Sequence, residues 1–463
     1  MELEFDPEDI LKRALAKGGE FADIYLEATS SCAIVMEDNR LEKVVTGTDS
    51  GVGVRLIYGG HSAYGHTNDL SKASLIALAE TVRGAVPGER ATPVIDLTRR
   101  EPKVRFQIKR HPDLTPLEEK VALVKRGNEA ARFPPGGRDK IQQVTVTYRD
   151  TIQRVIMFNS EGGIVEDERV HTVFLVQVVA RDGELIQTGY EPVGGVLGLE
   201  LFEENPPEKV ARIAAERALL MLRARPAPAG KMTVVLSSEA GGTMIHEAVG
   251  HGLEADLVQQ GLSVYSGKLG EKIASELITV VDDANLPNKR GSFAFDDEGT
   301  PSQRKVLIDR GVLKGFMYDR LTALKDGVAS TGNGRRESYR HRPIPRMTNT
   351  LILPGPSSPE EIIRATERGL LVKKMGGGQV NTVTGDFVFE VTEGYLIEKG
   401  KMGEAVRGAT LTGNGPQVLK DIDMVGSDLG FGIGTCGKDG QGVPVSDAIP
   451  TLRIPEIVVG GLL

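Results

Sequence analysis

The stretch Arg223-Ala224-Arg225-Pro226-Ala227-Pro228-Ala229-Gly230 separates two parts of different character. Alternating Pro and Ala make a stiff, extended connector. Upstream of it, helical patterns alternate with strand meanders. Downstream, a β-branched strand at 232–236 opens a Gly-rich, strand-like and irregular segment that runs to Leu463. The reading is an α+β protein of two domains, residues 1–225 and 231–463.

Four helix starts share one grammar: a capping residue, then Pro at the first helical position, then acids in the first turn. They are Asp6-Pro7-Glu8-Asp9, Thr115-Pro116-Leu117-Glu118, Asn205-Pro206-Pro207-Glu208 and Ser358-Pro359-Glu360-Glu361. Gly18-Gly19 and Gly369 are read as the stops of the first and last of these helices. A further helix is expected over 70–82. Strands are expected at 22–28, 33–36, 53–58 and 62–67, and again at 143–148, 154–159, 173–180 and 185–190. Both sets run helix, meander, helix, which predicts an internal duplication near 1–90 and 112–225.

Composition excludes several classes. The net charge is −8 and 40% of residues are hydrophobic, so the chain buries real cores and is no dedicated nucleic-acid binder. The two cysteines, Cys32 and Cys436, cannot form a disulfide framework, which fits a reducing, cytoplasmic compartment. The acidic Met1-Glu2-Leu3-Glu4 start lacks the pattern of a signal peptide, and no window is apolar enough to span a membrane. The 56 glycines, about 12% against a usual ~7%, favour a strand-rich architecture with many turns.

The chemistry concentrates in Ile245-His246-Glu247-Ala248-Val249-Gly250-His251. This is His-Glu-x-x-x-His, one residue longer than the His-Glu-x-x-His pattern. In that shorter pattern two imidazoles one turn apart bind zinc and the Glu polarises a water. On a straight helix, residues five apart point about 140° away from each other. A π-type bulge, or a helix end, is therefore expected between His246 and His251, made cheap by Gly250 and Gly252. A catalytic zinc takes three protein ligands and keeps one position open. Cys436, Glu254 and Asp256 compete for the third place. Cys436 is favoured, because its Gly432-Ile-Gly-Thr-Cys436-Gly-Lys-Asp-Gly440 loop is too rich in glycine for a routine core residue. Glu254 and Asp256 are otherwise partners of a ligating His or part of a solvated helix face.

Two polar runs remain. The 335–342 run, with Arg335 and Arg336 at its head, either clamps a peptide carboxylate or a phosphate, or is a solvated loop. Asp296 and Asp297 either hold a substrate amino terminus, orient a ligating His, or form a solvated turn.

These blocks together resemble the TldD/PmbA family, in particular its TldD type. The resemblance rests on His246-Glu-Ala-Val-Gly-His-Gly-Leu-Glu-Ala-Asp256, Phe295-Asp-Asp-Glu-Gly-Thr-Pro-Ser-Gln303, Thr331-Gly-Asn-Gly-Arg-Arg336 and Gly434-Thr-Cys-Gly-Lys-Asp-Gly-Gln441. It covers essentially the whole chain. It implies a zinc peptidase of small or unfolded peptides, with His246, His251 and Cys436 as zinc ligands and Glu247 as general base. It also implies pairing with a PmbA/TldE-type sibling that lacks the His-Glu motif; a homodimer is the alternative. Two other readings compete, another metal-dependent amidase and a non-enzymatic regulator with a structural zinc. Glu247 separates the last of these, since a closed structural site needs no base beside its first ligand.

Overall fold

A computed structural model describes residues 5–86, 94–134 and 137–461. Met1-Glu2-Leu3-Glu4 and residues 87–90, at the close of the first expected repeat, lie outside them.

Helix starts follow local chemistry. The Asp6 carboxylate accepts the Glu8 N–H ahead of helix Pro7–Ala14. Ser358 and Glu361 exchange both bonds of a capping box at Pro359–Arg364. Helices Leu117–Arg132 and Pro207–Arg223 have Pro116 and Pro206 at the cap position, so Thr115 and Asn205 do not cap them. Two expected stops are wrong. The first helix ends at Ala14, before Gly18-Gly19. Gly369 lies within strand Arg368–Val380, where an added Cβ would meet the Thr233 carbonyl at 2.4 Å; close strand packing, not a helix cap, requires glycine there.

The strands are longer than their apolar runs. Segments 22–28 and 33–36 belong to one strand, Phe21–Glu37, and 143–148 and 154–159 to another, Ile141–Asn159. The polar stretches between them stay in the ladder: Ser30 faces both Thr48 and Ile152. Backbone pairing on two sides keeps such a segment extended whatever its side chains. Phe21–Glu37 and Ile141–Asn159 pair antiparallel at the centre of a seven-stranded sheet. Strands Arg40–Tyr58 and His61–Thr67 flank one side, and Gly163–Asp182 and Leu185–Gly195 the other. Each half thus repeats the same order of helix, three strands and helix.

Successive strand residues point to opposite faces. On one face Ile24, Leu26, Val52 and Val54 pack under Pro7–Ala14 and Lys72–Arg83, while Ile34, Val146, Tyr148 and Phe174 pack under Leu117–Arg132 and Pro207–Arg223. The other face carries Tyr25, Val155 and Met157, which pack on Phe295 and Tyr339 from the C-terminal part. Buried charges cross the same junction. Arg55 reaches Glu298 at 2.7 Å while also holding Asp23, and Arg169 reaches Asp297 at 2.6 Å.

The C-terminal part has two main sheets around one large core. In one, Gly230–Leu236, Leu452–Gly460, Ala409–Asn414, Asp386–Glu398 and Arg368–Val380 pair in sequence and close into a ring. The other runs from Arg304–Asp309 through Val280–Asp283, Asn349–Ile352 and Gln441–Ile449 to the edge strand Gly430–Lys438. The segment around His246 buries Met244, Ile245, Val249 and Leu253 in that core.

Asp282 pins the second sheet. Its carboxylate accepts the Thr348 N–H at 2.8 Å, the Thr350 hydroxyl at 2.9 Å and the Asn333 amide at 2.9 Å, with Lys305 Nζ at 2.9 Å. Burial opposes its charge, but Lys305 and these donors hold its pKa below the ordinary value. A depressed folded pKa stabilises above the unfolded value of about 3.9 and loses that effect as pH falls below it. Asp282→Asn is therefore expected to cost roughly 2 kcal/mol at neutral pH. In thermal melts the gap to wild type should shrink below about pH 4; a gap constant with pH would refute this assignment.

Candidate metal centre

The helical segment at 243–253 changes its winding where the longer motif demands it. Thr243–Ile245 starts α-helical, and the chain then widens over His246–Gly250 into a π turn. The His251 N–H donates to the His246 carbonyl, an i→i+5 bond. That single turn absorbs the extra residue and returns His251 to the side of His246. The imidazole centroids lie 5.1 Å apart, nearly perpendicular. Gly250 serves by its size rather than by its flexibility. Its backbone is ordinary right-handed helix, φ −53°, but an added Cβ would lie 2.0 Å from Met347 Sδ.

The Cys436 segment is a hairpin rather than an irregular loop. Strand Gly430–Lys438 pairs with Gln441–Ile449 across an Asp439-Gly440 turn, both residues at positive φ. The hairpin brings Cys436 Sγ to 3.2 Å from His246 Nε2 and 3.3 Å from His251 Nε2. Among the described residues, these three are the group of His, Cys or acid side chains with donor atoms close enough to share an ion, all within 4.8 Å of one another. Two imidazole nitrogens and one sulfur suit zinc, and three donors leave room for a fourth ligand. Burial opposes ionisation of Cys436, yet hydrogen bonds and charge from His246 and His251 bring its pKa down to about 5. A depressed pKa favours the thiolate, the form that binds metals.

Glu254 and Asp256 stand behind this group, not in it. The His251 Nδ1 faces Glu254 Oε2 at 3.0 Å, which fixes the tautomer that turns Nε2 toward Cys436. Lys438 binds Glu254 at 3.0 Å and Asp256 at 2.7 Å. Burial opposes the Glu254 charge, but Lys438 and His251 hold its pKa down to about 2. Arg346, fully buried, donates to the Cys436 and Gln441 carbonyls and anchors the hairpin. His246 is oriented differently. Its Nδ1 has no hydrogen-bond partner, and Asp447 Oδ2 stands 4.0 Å away. Sequence reasoning missed Lys438, Arg346 and Asp447 in these roles. Only Lys438, two residues after Cys436, carried a local signal.

Glu247 is partly exposed, next to the triad in the chain. Burial raises its pKa, against the pull of His246 and His251. Its carboxylate makes no hydrogen bond to the protein among the described residues.

The remaining expected site residues are buried, which corrects the alternative reading of them as a solvated loop and turn. Arg335 is buried and donates to the Met347 and Pro444 carbonyls. Arg336 is buried against Asp297, its guanidinium 4.2 Å from the Tyr25 ring centroid. Asp297 accepts from Arg169 and from the Arg336 N–H. Asp296 closes a turn by accepting the Glu298, Thr300 and Gly334 N–H groups. Arg336 and Asp297 reach across the junction to Tyr25 and Arg169, while Arg335 and Asp296 bond within the C-terminal part.

Family models for the first, central and C-terminal domains of PmbA/TldA metallopeptidases match residues 22–86, 110–222 and 229–461. A metalloprotease TldD homolog of Haemophilus influenzae is 38% identical over 96% of this chain and 93% of its own. The chain belongs to the PmbA/TldD metallopeptidase family. A Methanothermobacter thermautotrophicus metalloprotease is 37% identical, covering 96% of each chain. A zinc metalloprotease TldD homolog of Saccharolobus solfataricus is 28% identical over 97% of this chain and 99% of its own. Among solved structures, TldE from Thermococcus kodakarensis superposes with TM-score 0.75 at 20% identity, covering 96% of this chain and 97% of its own. A Thermotoga maritima protein, described as a candidate modulator of a DNA gyrase, gives 0.79 at 23%, covering 95% and 96%. At these identities the two structures speak for the fold alone. No helix among the described residues is long and apolar enough to cross a membrane.

The geometry makes two predictions about metal content. Elemental analysis should find about one zinc per chain in wild type and clearly less in Cys436→Ser. Glu254→Gln should weaken zinc affinity roughly 10–100-fold in a chelator competition. Unchanged affinity would remove Glu254 from its orienting role.

Proposed function

We propose that this chain is a zinc-dependent peptidase acting on small or unfolded peptides. The observation that carries the reading is the convergence of His246, His251 and Cys436 on one point with Glu247 beside it. His246 and His251 would hold the ion through Nε2, and Cys436 through its thiolate. When bound there, zinc supplies Lewis acidity to a water and to a peptide carbonyl oxygen.

The protein's own residues do the rest. Glu247 takes the proton released as water attacks the carbonyl carbon, and returns it to the departing amine. Its lack of a protein hydrogen bond leaves both oxygens available for that transfer. Glu254 keeps the proton of His251 on Nδ1, and Lys438 keeps Glu254 ionised. The anionic sulfur makes the ion a milder Lewis acid than a neutral ligand set would, which suits slow, selective turnover.

The printed names of the relatives support a metalloprotease, one of them a zinc enzyme. The TldE fold neighbour supports pairing with a TldE-type sibling, with a second copy of this chain as the alternative. An enclosed assembly of that kind would admit unfolded segments and exclude compact proteins. The unpaired state of Cys32 and Cys436 fits action in the cytoplasm.

The test is Glu247→Gln. Zinc per chain should stay at the wild-type level while peptide cleavage falls by about a hundredfold to ten-thousandfold. A variant that keeps both its zinc and full activity would refute the role of Glu247.

A further inference from the structure

A cavity of about 290 Å³ lies at the junction of the two parts, beside the Cys436 strand. Its roof is the sheet face opposite the helices, with Arg149, His171 and Tyr190 on three neighbouring strands. Its floor is Ile433-Gly434-Thr435. Arg290 closes one side; its Nε donates to the Gly434 carbonyl at 3.2 Å and Nη2 contacts the Thr435 hydroxyl at 3.4 Å.

The charge here is one-sided. No carboxylate pairs with the exposed Arg149 or the half-buried Arg290 among the described residues. The guanidinium of Arg149 makes no hydrogen bond there either. Burial, and after it the nearby Arg149, push the Arg290 pKa down to about 10 against the opposing pull of Tyr190. His171 Nδ1 is buried and unpartnered. An anion would relieve the repulsion and meet several free donors. Paired guanidiniums suit a planar carboxylate, and the cavity holds about one amino-acid residue.

Position ties this cavity to the metal centre. Thr435 precedes Cys436 on an edge strand, and the two side chains point to opposite faces. An extended peptide advances about 3.3 Å per residue, so a substrate crossing the strand edge presents groups to both faces within a few residues.

We propose that this cavity is a carboxylate subsite for the peptide substrate, filled by its C-terminal carboxylate or by an acidic side chain a few residues from the cleaved bond. The inference rests on the peptidase reading above. The carboxylate clamp expected of Arg335 and Arg336 is thereby assigned to Arg149 and Arg290.

The test uses one peptide sequence in three forms: free acid, C-terminal amide, and amide with a terminal Glu. kcat/KM is measured on the zinc-loaded protein, and binding is measured separately by fluorescence anisotropy. The free acid should exceed the plain amide by roughly tenfold or more in both readouts. If the terminal Glu restores the amide, a side chain also fills the subsite; if it does not, the site reads the chain terminus. Arg290→Gln and Arg149→Gln should bring the ratio toward one. Arg149 is exposed and its substitution spares the fold, so that variant decides the matter if Arg290→Gln is unstable. Equal treatment of all forms, or a preference that survives both substitutions, overturns the subsite. Absence of all cleavage would count against the peptidase reading, while anisotropy would still judge the subsite.

Discussion

One i→i+5 hydrogen bond, from the His251 N–H to the His246 carbonyl, sets the conditions for everything around it. Without it the two imidazoles would face different sides of a helix, and no third residue could meet both. With it they face one point, and Cys436 arrives there from 185 residues further along the chain. Each neighbouring feature serves that meeting. Gly250 leaves space for Met347, the Asp439-Gly440 turn folds the Cys436 strand back, and Arg346 grips that strand by its carbonyls. Glu254 and Lys438 then fix the ring of His251 from behind. A turn that departs from regular helix is costly, and the surrounding core of Met244, Ile245, Val249 and Leu253 offsets it by burial.

The N-terminal sheet is joined to this centre through charge as well as packing. Arg55 with Asp23 and Glu298, and Arg169 with Asp297, are ion pairs out of water. Such pairs add little net stability, because desolvation offsets their attraction. Breaking one is expensive, since the other member stays buried and unpaired. They therefore fix one orientation of the sheet over the Cys436 strand. The same sheet face that carries these satisfied pairs also carries Arg149, which has no carboxylate.

The sequence made the local features legible. The bulge was readable because a motif with one surplus residue can present both imidazoles only by changing its winding. Helix starts were readable from Asp6 and Ser358, which act through neighbours a few residues away. The duplicated order of elements was visible in the meanders, but the fusion of both halves into one sheet was not, since it depends on pairing between residues about 120 apart. The strand lengths were underestimated because polar Thr29 to Ser31 breaks the alternation without breaking the ladder. The burial of Arg335, Arg336, Asp296 and Asp297 was not legible for a related reason. A dense charged run signals solvent or substrate locally, and only tertiary packing reveals a buried junction. Asp447, near His246, had no local signal at all.

The central claim is that two imidazoles and one thiolate hold a single ion. X-ray absorption spectroscopy on the zinc-loaded protein tests it most directly. The account predicts one sulfur near 2.3 Å, two imidazole nitrogens near 2.0–2.1 Å and one further light atom. A first shell without sulfur, or with a single imidazole, would contradict it.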